Sequence, residues 1–420
     1  MNKNFVKVSF LVGLFSLIAK TALAAQPLTL YELLDNAAHF YPLLKTAQFE
    51  AQAASEDKDA IGLQRWATAT LTAESQTGNL RSYPTNVLQV QQTIWDFGRL
   101  SARIAEAEAT ADVGLINVEL QRQDLFLQII SAWQTMHASR EKVSVAQSML
   151  DRLKAYQVQM RRRVEAEASA RIDLELIDAR LLQTEVELTT AKTSLQVAIM
   201  KLEQFTGLRS LHERVDSALP VPSLEETQPF VRSLNTVDWH LIAADSLVVV
   251  KARAQLKQAQ NKYNAKKSEA WPQLYVRTYK PLSKVPSSTD NTMTAFVGVS
   301  YTPGAGLSTL AEAQALSTRI SGAEFSIDSA LLDMKQTLNA DSEEYTNARS
   351  RIAALEKAID GSELVLASYK RQFEAGKKTW LDLLNAVREL GQNQYSQADA
   401  KATMLGAMHR LQIRMGSLAY

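Results

Sequence analysis

Apolar positions recur at two different periods along this chain. Between Leu174 and Phe205 the residues Leu174, Leu181, Leu188, Leu195 and Leu202 repeat every seven positions, with Ile177, Thr184, Ala191, Ala198 and Phe205 as a companion row. Rows at 3.5-residue spacing bury a helical seam against a neighbouring helix. The small residues of the second row let the helices approach closely. No glycine or proline occurs from Leu115 to Thr206, no proline from Thr85 to Leu219, and none after Pro303. Stretches of this kind, filled with Ala, Leu, Glu, Gln, Lys and Arg, favour helix strongly. The run from Ser101 to Arg161 predicts a helix of about 90 Å if it is continuous. That is too long for a globular domain and points to a coiled coil or tube.

Four shorter segments carry period two. Trp66 to Ala73 places Thr68, Thr70 and Thr72 on one face and Ala67, Ala69, Leu71 and Ala73 on the other. In Val87 to Trp95, Leu88, Val90 and Ile94 alternate with Gln89, Gln91 and Thr93. Gln273 to Tyr279 and Thr294 to Tyr301 form a second pair. The connections carry turn residues, Gly78, Asn79 and Pro84 in the first and Pro281, Pro286 and Asp290 in the second. Each segment is close to the roughly 9–11 residues that a tilted membrane strand requires. An apolar and a polar face on every strand suit a barrel wall with lipid outside and water inside. Trp66, Trp95, Trp271, Tyr275, Tyr279 and Tyr301 cluster there, as interfacial aromatics do. A half-buried sheet in a soluble domain has the same period, so periodicity alone leaves both readings open.

The two halves of the chain resemble each other. Gly98 and Ala105 to Ala109 match Gly304 and Ala311 to Ala315, while Arg162, Glu165-Ala166, Asp173-Leu174 and Gly207 match Arg371, Glu374-Ala375, Asp382-Leu383 and Gly416. The expected organisation is a first repeat over 25–208 with its strand pair at 66–95, a proline-bearing linker over 209–236, and a second repeat over 237–420 with its strand pair at 273–302. Each repeat runs helix, strand pair, long helical hairpin. Four strands cannot close a membrane barrel by themselves, so other copies must pair the open edges.

Composition narrows the picture. Lys3 and Lys7, the apolar run Val8 to Ala19 and Ala22-Leu23-Ala24 read as a secretory signal over 1–24. The apolar run is about a dozen residues, against roughly 20 for a spanning helix, and no later stretch reaches that length. With no cysteine, disulfides, thiolate metal sites and cysteine nucleophiles are excluded. The five histidines, at 39, 137, 212, 240 and 409, have no helical metal-ligand spacing. A formal charge of +1 gives no support for nucleic-acid binding. No Gly-x-Ser-x-Gly, His-Glu-x-x-His or phosphate-loop pattern is present, so the reading is of a protein that is not an enzyme and needs no cofactor. Arg161-Arg162-Arg163 reads as helix C-terminal charge that complements the dipole, or as a contact cluster.

At this point the chain resembles the TolC-type outer-membrane efflux protein family over essentially all of the sequence after the signal segment. Leu28-Thr29-Leu30 through Tyr41-Pro42-Leu43-Leu44 is similar to that family's first helix, and Thr93-Ile94-Trp95-Asp96-Phe97-Gly98-Arg99 to its strand-to-helix junction. Phe373-Glu374-Ala375-Gly376-Lys377-Lys378-Thr379-Trp380-Leu381-Asp382 and on to Ala386 is similar to its periplasmic helix turn. The resemblance implies a mainly α protein with β: a coiled-coil α-helical barrel plus four transmembrane strands per protomer, closing a 12-stranded barrel in a homotrimer. It implies an outer-membrane exit duct of a tripartite efflux or type I secretion system. The implied partners are outer-membrane lipid, a periplasmic adaptor protein and an inner-membrane transporter of ABC or RND type. It also implies that Asp382 and Asn385 occupy the channel constriction, that Asp173 is the first-repeat equivalent of Asp382, and that Asp173 and Lys378 lie where gating tethers form. Asn385 departs from the second carboxylate common at its position. The tip turn holds Gly376 in the second repeat but Glu167 in the first, which predicts a differently shaped first turn. A periplasmic adaptor and a structural coiled coil are the rival functions. Adaptors need one hairpin flanked by β domains, and a coiled coil has no use for amphipathic strand pairs. Which cargo passes is not written in the sequence.

Overall fold

The computed structural model describes residues 27–74, 85–234, 236–282, 292–302 and 304–417. The signal segment 1–24 and the turn residues Gly78, Asn79, Pro84, Pro286 and Asp290 lie outside the described residues.

The chain begins with α1 (Leu30–Phe40), whose Thr29 side chain caps the helix by accepting from the Glu32 amide at 3.2 Å. Leu30, Leu33, Leu34 and Ala37 form its buried stripe. Tyr41 precedes a proline and is held extended, which breaks the helix before α2 (Pro42–Leu63). The expected first helix is therefore two. Strands β1 (Thr68–Glu74) and β2 (Thr85–Trp95) follow, then α3 (Arg99–Glu165) and α4 (Arg171–Thr206). The middle of the chain holds two 3₁₀ turns (Leu211–Glu213 and Val215–Ser217), α5 (Gln228–Leu234) and α6 (Trp239–Ala244). After these come α7 (Leu247–Ser268), β3 (Gln273–Pro281), β4 (Thr294–Ser300), α8 (Ser308–Glu374) and α9 (Trp380–Arg414).

Helices α3 and α8 each have 67 residues, about 100 Å at 1.5 Å per residue. Each folds back on its successor, α3 on α4 and α8 on α9, and α3 also packs along α9. The heptad rows of α4 are the seam: Ile177, Leu181, Thr184, Leu188, Ala191, Ala198 and Leu202 are buried. The opposite side of α4 leaves Leu182 and Val186 about two-thirds exposed, at 64% and 66%, so this helix has apolar surface beyond its intrachain seam.

Two cores result. One lies at mid-length, where Phe126, Ile129, Trp133, Leu202, Leu338, Tyr345 and Met404 meet α1 and the linker. Arg214 holds Glu32 through two bonds of 2.7 and 2.8 Å, and Arg140 donates to the carbonyls of Val215 and Ala218. The linker is thereby tied to α1 and the first hairpin, and Arg349 of α8 ties it to the second by donating to the Leu224 carbonyl at 3.2 Å. His137 is buried in this core beside Trp133, and burial holds its imidazole neutral by lowering its pKa to about 3. The second core is distal, with Met149, Leu153, Met160, Ile177, Trp380, Leu383, Leu384 and Val387 between the two hairpins.

The strands form one antiparallel sheet in the order β1-β2-β3-β4. Pairing of β2 with β3 joins strands from distant parts of the chain, a link the sequence pattern did not contain. At the start of α3, Phe97 and Gly98 both take left-handed backbone, with φ of 53° and 83°. The Asp96 carboxylate steadies that turn by accepting from the amides of Gly98 and Leu100 at 3.1 and 2.7 Å.

Candidate channel wall and helix tips

Register assigns every strand residue to one of two faces. Ala69, Val90, Thr278 and Ala295 lie in one cross-sheet row, Leu71, Leu88 and Lys280 in the next, and Gln92, Val276 and Val297 in a third. Leu274 and Val299 continue this face. The other face carries Thr70, Gln89, Tyr279 and Thr294 in one row, and Thr68, Gln91, Arg277 and Phe296 in the next. One face is thus dominated by aliphatic side chains and the other by hydroxyls, amides and aromatic residues. Leu88, Val90, Val297 and Val299 share the aliphatic face as the alternation predicts. Ile94 does not follow them simply: the register shifts between Thr93 and Trp95, so Ile94 sits in a bulge and Trp95 pairs with Leu274.

The aliphatic face is open in the single chain. Leu71, Val297 and Val299 are 67%, 74% and 66% exposed. Among the described residues the outer strands β1 and β4 have one partner each, so each presents a row of unpaired backbone groups. Aromatics mark the boundary with the helices, where Trp95 meets Phe97 edge to face at 6.1 Å and Phe97 stacks on Trp271 at 5.8 Å between ring centroids.

At the far ends of the long helices the two turns are alike. Ala166, Glu167 and Ala168 donate to the carbonyls of Arg162, Val164 and Arg163 at 3.0, 3.0 and 2.8 Å. Ala375, Gly376 and Lys377 donate to Arg371, Phe373 and Gln372 at 3.1, 3.0 and 2.8 Å. Glu167 has φ 57° and Gly376 φ 70°. The expectation of a differently shaped first turn is overturned: Glu167 adopts the left-handed conformation that the glycine adopts, because the closing hydrogen bonds of this helix end require it.

The predicted site residues divide by element. Asp382 is the third residue of α9 and closes a capping box with Thr379. The Thr379 hydroxyl accepts from the Asp382 amide at 3.1 Å, and the carboxylate accepts from the Thr379 amide at 3.1 Å. Hydrogen bonds from the Thr379 side chain and backbone, reinforced by the charge of Lys378, hold the Asp382 carboxyl below the usual carboxylate range. Lys378 lies 3.8 Å from Asp382 and over the Tyr369 ring at 4.4 Å. Asp173 occupies the matching third position of α4, where the cap is Ala170 and supplies no side-chain bond. Lys378 and Asp173 are not paired within the chain. Asn385 is half-buried one turn beyond Asp382.

Sequence reasoning passed over the residue that joins the two tips. Trp380 is 4% exposed, and its Nε1–H donates to the Asp173 carbonyl at 3.0 Å. Its ring meets Tyr156 at 6.0 Å and Phe373 at 5.1 Å, and the Arg163 guanidinium lies 4.8 Å from the Phe373 centroid. Of the basic run, Arg163 therefore bridges the hairpins, also donating to the Ser169 hydroxyl at 3.1 Å. The available signal was a tryptophan as the first residue of a helix, directly after the polar run Lys377-Lys378-Thr379.

No family model matches the chain. In sequence it is similar to the alkaline protease secretion protein AprF of Pseudomonas aeruginosa, 23% identical over 346 residues that cover 79% of this chain and 69% of that protein. Among solved structures it is similar to the outer-membrane protein VceC of Vibrio cholerae, with TM-score 0.78 and 15% identity over 92% of this chain and 96% of that one. CusC, studied for folding and transmembrane channel formation, gives TM-score 0.79 at 14% identity over 92% and 91% of the two chains. The open-state MtrE outer-membrane channel of Neisseria gonorrhoeae gives 0.67 at 15% identity over 92% and 88%. The fold of this chain is that of the outer-membrane channel proteins.

Proposed function

We propose that this chain is the subunit of a homotrimeric outer-membrane channel, the exit duct of a tripartite export system in a Gram-negative envelope. The observation that carries the reading is a four-stranded sheet with one aliphatic face, one polar face and two unpaired edges. Exposed aliphatic area of this kind is stable against lipid, and unpaired edges are not. Three copies joined edge to edge give a closed 12-stranded barrel, and the helices of the three then form a tube from the duplicated hairpins. The apolar side of α4 left open in the single chain meets a neighbouring copy in that arrangement.

In this reading the helix tips form the periplasmic entrance, and Asp382 and Asn385 line it. An adaptor protein and an inner-membrane transporter complete the path, and the chain's own role is conduction without catalysis. The sequence similarity to a protease secretion protein favours polypeptide secretion over drug efflux as the system served. The test is direct. Native membranes should release the protein only with detergent, crosslinking should give a trimer, and the purified protein should conduct in planar bilayers. A deletion strain should lose a secreted protein and keep its drug resistance. Monomers alone in native membranes would sink the assembly, and lost drug resistance with intact secretion would reverse the choice of system.

A further inference from the structure

The polar face of the sheet holds one cation near mid-strand, Arg277, the fifth residue of the nine in β3. Its row runs Thr68, Gln91, Arg277, Phe296 across all four strands. The side chain is not free to wander. Its Nη2 donates to the Tyr275 hydroxyl at 2.9 Å, and the guanidinium lies 5.1 Å from the centroid of the same ring. Tyr275 is held in turn by the strand beside it. It pairs with Gly298, and a Cβ at that glycine would stand 2.7 Å from the tyrosine Cζ and hydroxyl oxygen. Glycine here leaves the floor on which the ring lies, and the ring is the bracket for the guanidinium.

Among the described residues Arg277 pairs with no carboxylate. The acid on its own face is Glu74, at the end of β1 and six positions from Thr68. That is about 20 Å along the strand, more than two screening lengths at physiological salt. Lys280 lies on the aliphatic face, so it does not contribute to the same field. At the helix junction Arg99 and Glu269 face each other at 3.7 Å, and Asp96 is engaged by backbone amides. A guanidinium held open in this way keeps its fork for a carboxylate or phosphate.

We infer that Arg277 is a selectivity residue of the channel wall, held by Tyr275 over Gly298 so that three symmetric copies favour passage and binding of anionic, carboxylate- or phosphate-bearing solutes. The inference rests on the trimeric channel proposed above. A guanidinium facing lipid at this height would be costly, and its row-mates Thr68 and Gln91 are polar. Rings of basic side chains that line an aqueous path favour anions over cations. This site is far along the chain from Asp382, so the two can be separated by mutation.

The experiment uses the full-length protein in planar bilayers under a potassium chloride gradient, with citrate as the anionic probe. Wild type should conduct and be blocked by citrate. Arg277→Gln should shift the reversal potential toward that of potassium and weaken citrate block about tenfold or more, the loss expected for one charge-assisted contact. Arg277→Lys should restore the reversal potential, because charge rather than packing is the cause. An unchanged reversal potential and block in Arg277→Gln would overturn the inference while leaving the channel intact. If Arg277→Gln fails to insert, wild type decides: insensitivity to citrate also overturns it. Absence of any conductance in wild type would instead defeat the channel reading itself.

Discussion

Single residues set the behaviour of the tips. The bond between hairpins uses the Asp173 backbone carbonyl, not its carboxylate. Asp173→Ala should therefore leave the Trp380 contact in place and change bilayer conductance little. Trp380→Phe keeps most of the ring and removes the donor. It should cost roughly 0.5–1.5 kcal/mol per subunit. In the proposed trimer three symmetric subunits multiply that effect, so this variant should spend more time open in single-channel recordings. Equal conductance for the two variants would place the gate elsewhere. Mid-length, acid acts through buried histidines: burial lowers the pKa of His409 as well as that of His137. The folded pKa of His137 is depressed to about 3 from an ordinary 6.5, so the unfolded chain binds the proton more readily. Stability is then full above pH 6.5 and falls as pH drops toward 3, by about 1.4 kcal/mol per unit at most. Urea unfolding of detergent-solubilised protein should show this slope, and His137→Phe should reduce it, leaving the share due to His409.

At the scale of elements, the sequence exposed some features and hid others for physical reasons. The heptad rows of α4 were legible because a seam needs apolar residues at fixed spacing, and those residues are the buried ones. The four strands were legible from alternation. Their order was not, since the β2–β3 pairing is set by non-local backbone bonds that leave no local pattern. The bulge at Ile94 was hidden for the same reason. The tip turn at Glu167 was misread because glycine is the ordinary mark of left-handed backbone, yet the Schellman-type bonds impose that conformation on whatever residue stands there. Left-handed backbone at both Glu167 and Gly376 has a measurable consequence. Glu167→Gly should relieve left-handed strain and stabilise by up to about 1 kcal/mol, once glycine's own entropy is subtracted. Gly376→Ala should destabilise by roughly 1–2 kcal/mol, because the added Cβ meets φ 70°. Opposite shifts of the urea midpoint check the pair, and shifts of the same sign would reject the argument.

The whole molecule is a long α-helical body that ends in a thin sheet, and in the single chain the aliphatic face of that sheet has Leu71, Val297 and Val299 open. The orientation of its faces can be tested by two substitutions one residue apart. Val90 pairs with Ala69 and Thr278 on the aliphatic face, and Gln89 with Thr70 and Tyr279 on the polar one. Gln89 is the better control than Gln91, because Gln91 pairs with Arg277 and a lysine there would add like-charge repulsion. In the proposed barrel Val90→Lys places an ammonium against hydrocarbon at mid-strand, a cost of roughly 2–4 kcal/mol near the membrane midplane. Gln89→Lys places the same charge in water and should cost a small fraction of that. The two strands flanking β2 hold both positions rigidly, so neither side chain can turn to the other face without breaking the ladder. Val90→Lys should therefore lower the yield of detergent-resistant trimer in the outer membrane, while Gln89→Lys assembles as wild type does. Equal loss in both would mean that the sheet is packed on both faces, and equal tolerance would mean that neither face meets lipid.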